Sequence, residues 1–220
     1  MHLMARFLPW ASVAGVLLLS AGCQKPEDAR PSLIAFAIDR EGTSRDIMTL
    51  PPTGGEPTPI SPAASYDETP AWSSDGLTLL FSSARDGHFG IYTWEGGKLG
   101  KLLMAHYRDC APSWSPDGRR IVFMSNRDDS WEIYIVGANA KDEKRLTNNN
   151  FSDTWPCWTA DGQGILFLSD RDGQQDLYRM KPDGTEVTAL TNDRAWDGRP
   201  SCSPDGKCVV ASGGAAAARA

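Results

Sequence analysis

The chain has 220 residues and a formal net charge of -6, which is enough chain for one substantial core or two small domains. An acidic balance of this kind argues against nonspecific binding to nucleic acid or to anionic lipid. The 8 tryptophans and 21 glycines favour many short strands that are joined by tight turns.

Residues 1–22 are predicted to be a secretory signal outside the fold. Arg6 precedes an apolar run over 7–19, and small residues at 20–22 come directly before Cys23. The run is shorter than the roughly 20 apolar residues that a transmembrane helix needs. Its end resembles the bacterial lipobox, which implies that Cys23 is lipidated and that the protein meets the membrane by a lipid anchor only. The alternative is an ordinary signal with an incidental cysteine.

The lipobox resemblance also implies a destination in the cell envelope. Gln24 follows the cysteine, and Gln at this position favours the periplasmic face of the outer membrane over the inner membrane. Residues 23–32 are polar and contain proline, so they are predicted to be a short tether.

One unit then recurs along the chain. It has an aspartate, a proline three residues later, a tryptophan two residues after that, and an Asp-Gly turn preceded by Ser or Thr. Cysteine replaces the tryptophan in the last copy. The copies lie at 67–76, 109–118, 153–162 and 197–206. Successive Asp-Gly pairs are 42, 44 and 44 residues apart, and a period of about 40–45 residues is typical of propeller blades.

The residues after each turn predict the rest of a four-stranded blade. An apolar run predicts a buried second strand, a Ser-x-Arg-Asp motif follows it, and an aliphatic-tyrosine pair marks a third strand. A polar turn and a short Leu-Thr strand close the unit, and no stretch has a helical period. We therefore predict an all-β propeller of four-stranded antiparallel blades over 33–212, with a disordered tail at 213–220.

This pattern resembles the TolB-like propeller repeat, a WD40-like repeat that occurs in secreted and lipid-anchored bacterial proteins. The resemblance covers 33 to about 212 and implies the fold more strongly than any function. The unit at 33–61 lacks a first strand, and 197–212 supply a first strand and most of a second. The two ends could share one blade in a closed four-bladed ring, or the chain could form part of a larger ring; the off-pattern tail favours the incomplete ring.

Two groups of residues are candidates for binding at a channel mouth. The repeat aspartates could form a carboxylate ring, or each could pair with the arginine of a neighbouring Ser-x-Arg-Asp motif. Aromatic residues near the same positions could anchor a partner, or could pack between blades. The candidates are Asp67, Asp109, Asp153, Asp197, Tyr66, Tyr107, Phe151, Trp155 and Trp196.

The sequence predicts no cofactor, no metal site and no catalysis. It contains no C-x-x-C pair, no G-x-S-x-G elbow and no complete P-loop. Cys202 and Cys208 flank one turn and could form a disulfide in an oxidising compartment, or Cys202 could be a small buried thiol.

We therefore expect a noncatalytic, envelope-anchored propeller that binds an envelope protein or a peptide or glycan ligand, with no nucleic-acid partner. The alternatives are the noncatalytic propeller part of a peptidase or glycan-active system, and a truncated fragment without independent function.

Overall fold

The computed structural model describes residues 32–40, 44–61, 65–103, 107–192, 197–203 and 209–211. The predicted signal, Cys23, most of the tether, Trp196, Cys208 and the predicted tail lie outside these ranges. In the described ranges no helix is long and apolar enough to cross a membrane.

The described strands fall into five sheets. The first sheet contains β1 (Ile34–Arg40), β2 (Ser44–Leu50) and β3 (Thr58–Pro59). Blade 1 contains β4 (Asp67–Trp72), β5 (Thr78–Ser83), β6 (Gly90–Glu95) and β7 (Lys98–Leu103). Blade 2 contains β8 (Asp109–Trp114), β9 (Arg120–Asp128), β10 (Ser130–Gly137) and β11 (Lys144–Arg145). Blade 3 contains β12 (Asp153–Trp158), β13 (Ile165–Ser169), β14 (Asp176–Met180) and β15 (Thr188–Ala189). The last pair contains β16 (Pro200–Cys202) and β17 (Val209–Ala211).

Each blade is an antiparallel meander in which consecutive strands are neighbours. The all-β, four-stranded blades predicted from the repeat are therefore confirmed. The first sheet has the order β1-β2-β3, and β16 pairs with β17. No described strand joins the last pair to β1, so the described strands form an incomplete propeller in which the two ends do not share a blade.

The Ser-x-Asp-Gly turns fix the connection between the first two strands of each blade. In blade 2 the Ser115 hydroxyl donates to Asp117 Oδ1 at 2.6 Å, and the Arg119 amide donates to the same oxygen at 3.0 Å. These two bonds hold the pKa of Asp117 below its usual value. Gly118 has φ +68°, a left-handed conformation that glycine adopts without steric cost. Blades 1 and 3 repeat this turn.

The core lies between the sheets. Four hydrophobic clusters each join one sheet to the next along the chain. The second strand of every blade is apolar on both faces because both faces are covered, as the continuous apolar runs predict. Phe81, Phe123 and Phe167 are fully buried and pack on Tyr92, Tyr134 and Tyr178 of the adjacent strand, with ring centroids 5.6–6.0 Å apart.

Candidate functional site

The first strand of every blade is interrupted by a bulge at the residue before the repeat proline. The register shifts between Glu68 and Ala71 in blade 1, and equivalent shifts occur in blades 2 and 3. Proline has no N–H to donate to a strand ladder, so it suits such an irregularity. Thr69, Ala111 and Trp155, which precede the prolines, have φ values of 55°, 52° and 53°.

A left-handed conformation costs an L-residue roughly 1–2 kcal/mol, and a bulge re-aims the side chain of the residue that carries it. Ser82 connects two of these positions across adjacent blades. Its Oγ lies 2.7 Å from Thr69 Oγ1 and accepts the Ala111 amide at 3.1 Å. The strained positions are therefore held in place by contacts between blades.

The bulges face a cavity of about 210 Å³ that touches the first strands of all three blades and the start of the last pair. This common wall makes the first strands the inner strands of the propeller and the cavity its central channel. Small-molecule sites usually enclose about 300–1,000 Å³. The channel is therefore sized for a side chain or a short stretch of peptide and not for a large cofactor.

Arg199 and Trp155 form the most distinctive contact on the channel wall. The Arg199 Cζ lies 3.4 Å from the Trp155 ring centroid, a cation–π arrangement. Burial lowers the pKa of Arg199, and no described carboxylate lies within ion-pairing distance of it. The nearby Glu68 is paired with Arg45 at 3.3 Å. Arg199 therefore presents a partly desolvated cation that a carboxylate or carbonyl oxygen could satisfy.

The repeat aspartates of the three blades occupy a different environment. Asp67, Asp109 and Asp153 are completely buried, at the beginning of each inner strand. Each pairs with the arginine of its own blade, and the N–O distances are 2.9–3.0 Å: the pairs are Asp67–Arg85, Asp109–Arg127 and Asp153–Arg171. Of the two predicted roles, this geometry favours the structural one, in which each aspartate pairs with an arginine. The arginine belongs to the same blade, however, and not to a neighbouring one.

Asp197 is buried as well, although the arginine motif is missing from the repeat that follows it. It accepts the hydroxyl of Thr191 and the amide of Leu177, the latter at 3.2 Å. Among the described residues, these hydrogen bonds from blade 3 hold the start of the last inner segment.

The aromatic candidates divide into two groups. Tyr66, Tyr107 and Phe151 are 44%, 51% and 43% exposed. Each precedes an inner strand by one or two residues, so all three lie at the same end of the channel, and we call them the aromatic rim. Trp155 instead packs against the clusters on both sides of blade 3. Trp196 lies outside the described residues.

The channel residues that sequence reasoning missed include Thr69, Ala111 and Arg199. They occupy the position before the repeat proline, where Trp155 also lies. Variation between the repeats could have identified this position, because it holds Thr, Ala, Trp and Arg in four otherwise similar repeats. Residues that differ between equivalent blades are the ones that can make a symmetric channel specific for one ligand.

A larger cleft of about 850 Å³ lies between blades 2 and 3 at the opposite end of the inner strands. Three of its four basic residues already have partners in the protein, and the fourth, Arg119, is exposed to solvent. Lys144 donates to the Asp183 carbonyl at 2.8 Å, Lys181 pairs with Glu186, and Arg120 lies over Trp158. The channel is the better candidate, because burial lowers the pKa of Arg199 there, so its cation is partly desolvated, whereas Arg119 in the cleft is exposed. Within the described ranges, no three possible metal ligands lie together.

Four-stranded blades around a channel that is lined by their first strands define a β-propeller. The family model of the TolB beta propeller domain matches residues 95–218, more than half of the chain. The chain therefore belongs to the TolB β-propeller family.

Solved structures share this fold. TolB from Acinetobacter baumannii is 24% identical with a TM-score of 0.72, and the match covers 80% of this chain and 46% of that one. An Agrobacterium tumefaciens protein assigned as TolB is 27% identical with a TM-score of 0.69, covering 82% and 69%. A puromycin-hydrolyzing peptidase from Mycobacterium tuberculosis is 15% identical with a TM-score of 0.64, covering 85% and 34%. This chain thus spans about half the length of the Acinetobacter protein. No curated protein matches the sequence.

Proposed function

We propose that this protein is a noncatalytic binding module that holds a peptide segment of a protein partner at its channel. The observation that carries the proposal is the Arg199–Trp155 contact, in which a partly buried cation lines the cavity at 3.4 Å from an aromatic ring and has no described acidic partner. A buried charge is costly unless it is paired, so a ligand that supplies a carboxylate would gain affinity there.

The aromatic rim supplies the second part of the site. Exposed aromatic side chains bury a large apolar area with little loss of conformational freedom, which is why they are common at protein-binding hot spots. Tyr66, Tyr107 and Phe151 could hold apolar side chains of a peptide while an acidic side chain or a terminal carboxylate reaches Arg199. With a net charge of -6, the protein would attract such a ligand through this local contact and not through its overall field.

We place the module in the cell envelope, attached by lipid at Cys23 and on the periplasmic face of the outer membrane. The support is the signal-like segment at 1–22, the lipobox resemblance and membership in the TolB propeller family. Labelling of cells with a radioactive fatty acid should mark the wild-type protein and not the Cys23→Ser variant. Equal labelling of both would contradict the anchor.

The binding proposal is tested by selecting peptides from a random phage-displayed library on the immobilised full chain. We expect the selected peptides to combine apolar residues with an acidic residue or a free carboxylate. Their affinity should fall at least about tenfold for Arg199→Gln, since a charge-assisted hydrogen bond contributes about 1.5–3 kcal/mol.

The matched control is Arg119→Gln, which removes an arginine from the cleft at the other end of the inner strands. It should leave the affinity unchanged. If peptides bind to the Arg199→Gln variant as tightly as to the wild type, the channel is not the site.

The alternative is a propeller that serves a separate peptidase or glycan-active enzyme. It is supported by the occurrence of the same fold in peptidase chains of which this chain covers about a third, such as puromycin hydrolase at 36%. For a glycan-active partner, which is supported by the same fold in an oligogalacturonate lyase of which this chain covers 56%, the alternative predicts binding to oligosaccharides with no requirement for an acidic peptide. Screening the same immobilised protein on an oligosaccharide array distinguishes the two, because an Arg199-independent glycan signal would favour the alternative.

A further inference from the structure

Two cysteines from different sheets meet on the channel wall. Cys157 lies on β12 of blade 3 and Cys202 on β16 of the last pair, and their sulfur atoms are 3.8 Å apart. Both are half-buried and both line the cavity. The two residues are 45 positions apart in sequence, so only the packing of neighbouring inner strands brings them together.

We propose that Cys157 and Cys202 form a disulfide bond that fastens the last strand pair to blade 3. At a sulfur–sulfur contact of 3.8 Å, small side-chain rotations bring the atoms to the bonding distance of about 2.05 Å. The predicted partner of Cys202 was Cys208, which lies outside the described residues. The structure instead offers Cys157 at direct contact.

Cys110 is a buried, unpaired thiol among the described residues with which the Cys157–Cys202 pair can be compared. It is 1% exposed on β8, and burial raises its pKa to about 12. No second described cysteine contacts it. At the Cys157–Cys202 pair, the Cys157 thiol can donate to a Cys202 thiolate, and this bond lowers the pKa of Cys202 while it raises that of Cys157. A thiolate in this pair is therefore stabilised by its neighbour, and the thiolate is the form that attacks a disulfide.

The reaction needs an external disulfide, for which oxidised glutathione serves. One cysteine of the pair, as its thiolate, attacks one glutathione sulfur, and the second glutathione leaves as a thiolate. The other cysteine then loses its proton and attacks the cysteine sulfur of the mixed disulfide, which releases the other glutathione. Two electrons pass from the cysteines to glutathione, and the two thiol protons end on the released glutathione thiols.

The bond would also act on the channel. Arg199 lies three residues before Cys202 and just before β16, and it reaches across to Trp155, which is two residues before Cys157. A covalent link between Cys202 and Cys157 therefore restrains both partners of the Arg199–Trp155 contact. The disulfide does not depend on the proposed binding function. If the bond does not form, the binding proposal is unaffected.

The test is peptide mapping of the full chain after incubation with oxidised glutathione and alkylation of the remaining thiols. Trypsin should place Cys157 in the peptide 146–171, Cys202 in 195–207, Cys208 in 208–219 and Cys110 in 109–119. We expect 146–171 to be linked to 195–207, with the loss of two hydrogen atoms. A link between 195–207 and 208–219, or complete alkylation of Cys157 and Cys202, would overturn the proposal.

A thermal melt supplies a second measurement. A disulfide across a separation of 45 residues should raise the Tm by roughly 10 °C relative to the protein treated with dithiothreitol. The rise should disappear in Cys202→Ser and persist in Cys110→Ser. A rise that persists in Cys202→Ser would show that another bond causes it.

Discussion

In blade 3 the guanidinium of Arg171 donates to both carboxylate oxygens of Asp153, at 3.0 and 3.1 Å. The Asp153 side chain is fully buried, whereas that of Arg171 is 23% exposed. The pair joins the start of the inner strand to the loop that follows the second strand. Blade 1 repeats this arrangement, and in blade 2 the arginine lies near the end of the longer second strand. Loss of one partner therefore has different consequences from loss of the other. Arg171 can regain contact with water when Asp153 is removed, whereas Asp153 stays buried when Arg171 is removed.

We expect Arg171→Met to cost about 3–5 kcal/mol of unfolding free energy, since it leaves a buried carboxylate without its cation. Asp153→Asn should cost less, because Arg171 can turn toward solvent. Urea denaturation of both variants measures the difference. A smaller cost for Arg171→Met than for Asp153→Asn would contradict this account of the pair.

The blade tyrosines should make the protein sensitive to alkali. Tyr134 donates to Asp128, and Tyr178 donates to Asp172. Burial raises the pKa of both hydroxyls, and these hydrogen bonds raise it further. A raised pKa in the folded state gives stability that is complete below the unfolded value of about 10 and is lost as the pH rises toward the folded value. The unfolding free energy of the wild type, measured from pH 8 to 11, should fall above about pH 10. The unfolding free energy of Tyr178→Phe should fall less steeply over the same range. A slope identical to that of the wild type would contradict the assignment.

The bulge positions should tolerate glycine better than larger residues. Ala111 has φ 52° and is 7% exposed. Ala111→Gly removes the strain and adds chain entropy to the unfolded state, so its effect should stay within about 1 kcal/mol. Ala111→Val adds a branched side chain to a left-handed, packed position and should cost about 2 kcal/mol or more. Urea denaturation compares them, and equal costs would show that the conformation at this position is not strained.

The aromatic rim should matter for binding and not for folding. Tyr107 is 51% exposed, and Tyr107→Ser should change the unfolding free energy by no more than about 0.5 kcal/mol, as surface substitutions usually do. The same variant should weaken the binding of the selected peptides. Phe123→Ser in the core is the comparison, since it should unfold the protein without reporting on the rim. A strong loss of stability in Tyr107→Ser would show that the rim is structural.

Much of the fold could be predicted because it depends on interactions between residues that are close in sequence. The Asp117-Gly118 turn works through hydrogen bonds within a few residues, and the apolar run at 121–123 is buried on both faces wherever two blades enclose it. An ion pair with arginine was one of the two roles predicted for Asp109, and the structure places Arg127 beside it, 18 residues away in the same blade. Such contacts lie within one repeat and recur in each copy.

The sequence by itself determined the blades, since the period, the turns and the strand order all lie within one repeat. Only the tertiary structure decided which side chains share the channel. Arg199 meets Trp155 and Cys202 meets Cys157 across 44 and 45 residues, where no local propensity acts. The physical reason is that adjacent inner strands belong to different sheets and share no backbone ladder, so their side chains are brought together by the packing of whole blades and not by any pairing that can be found along the chain.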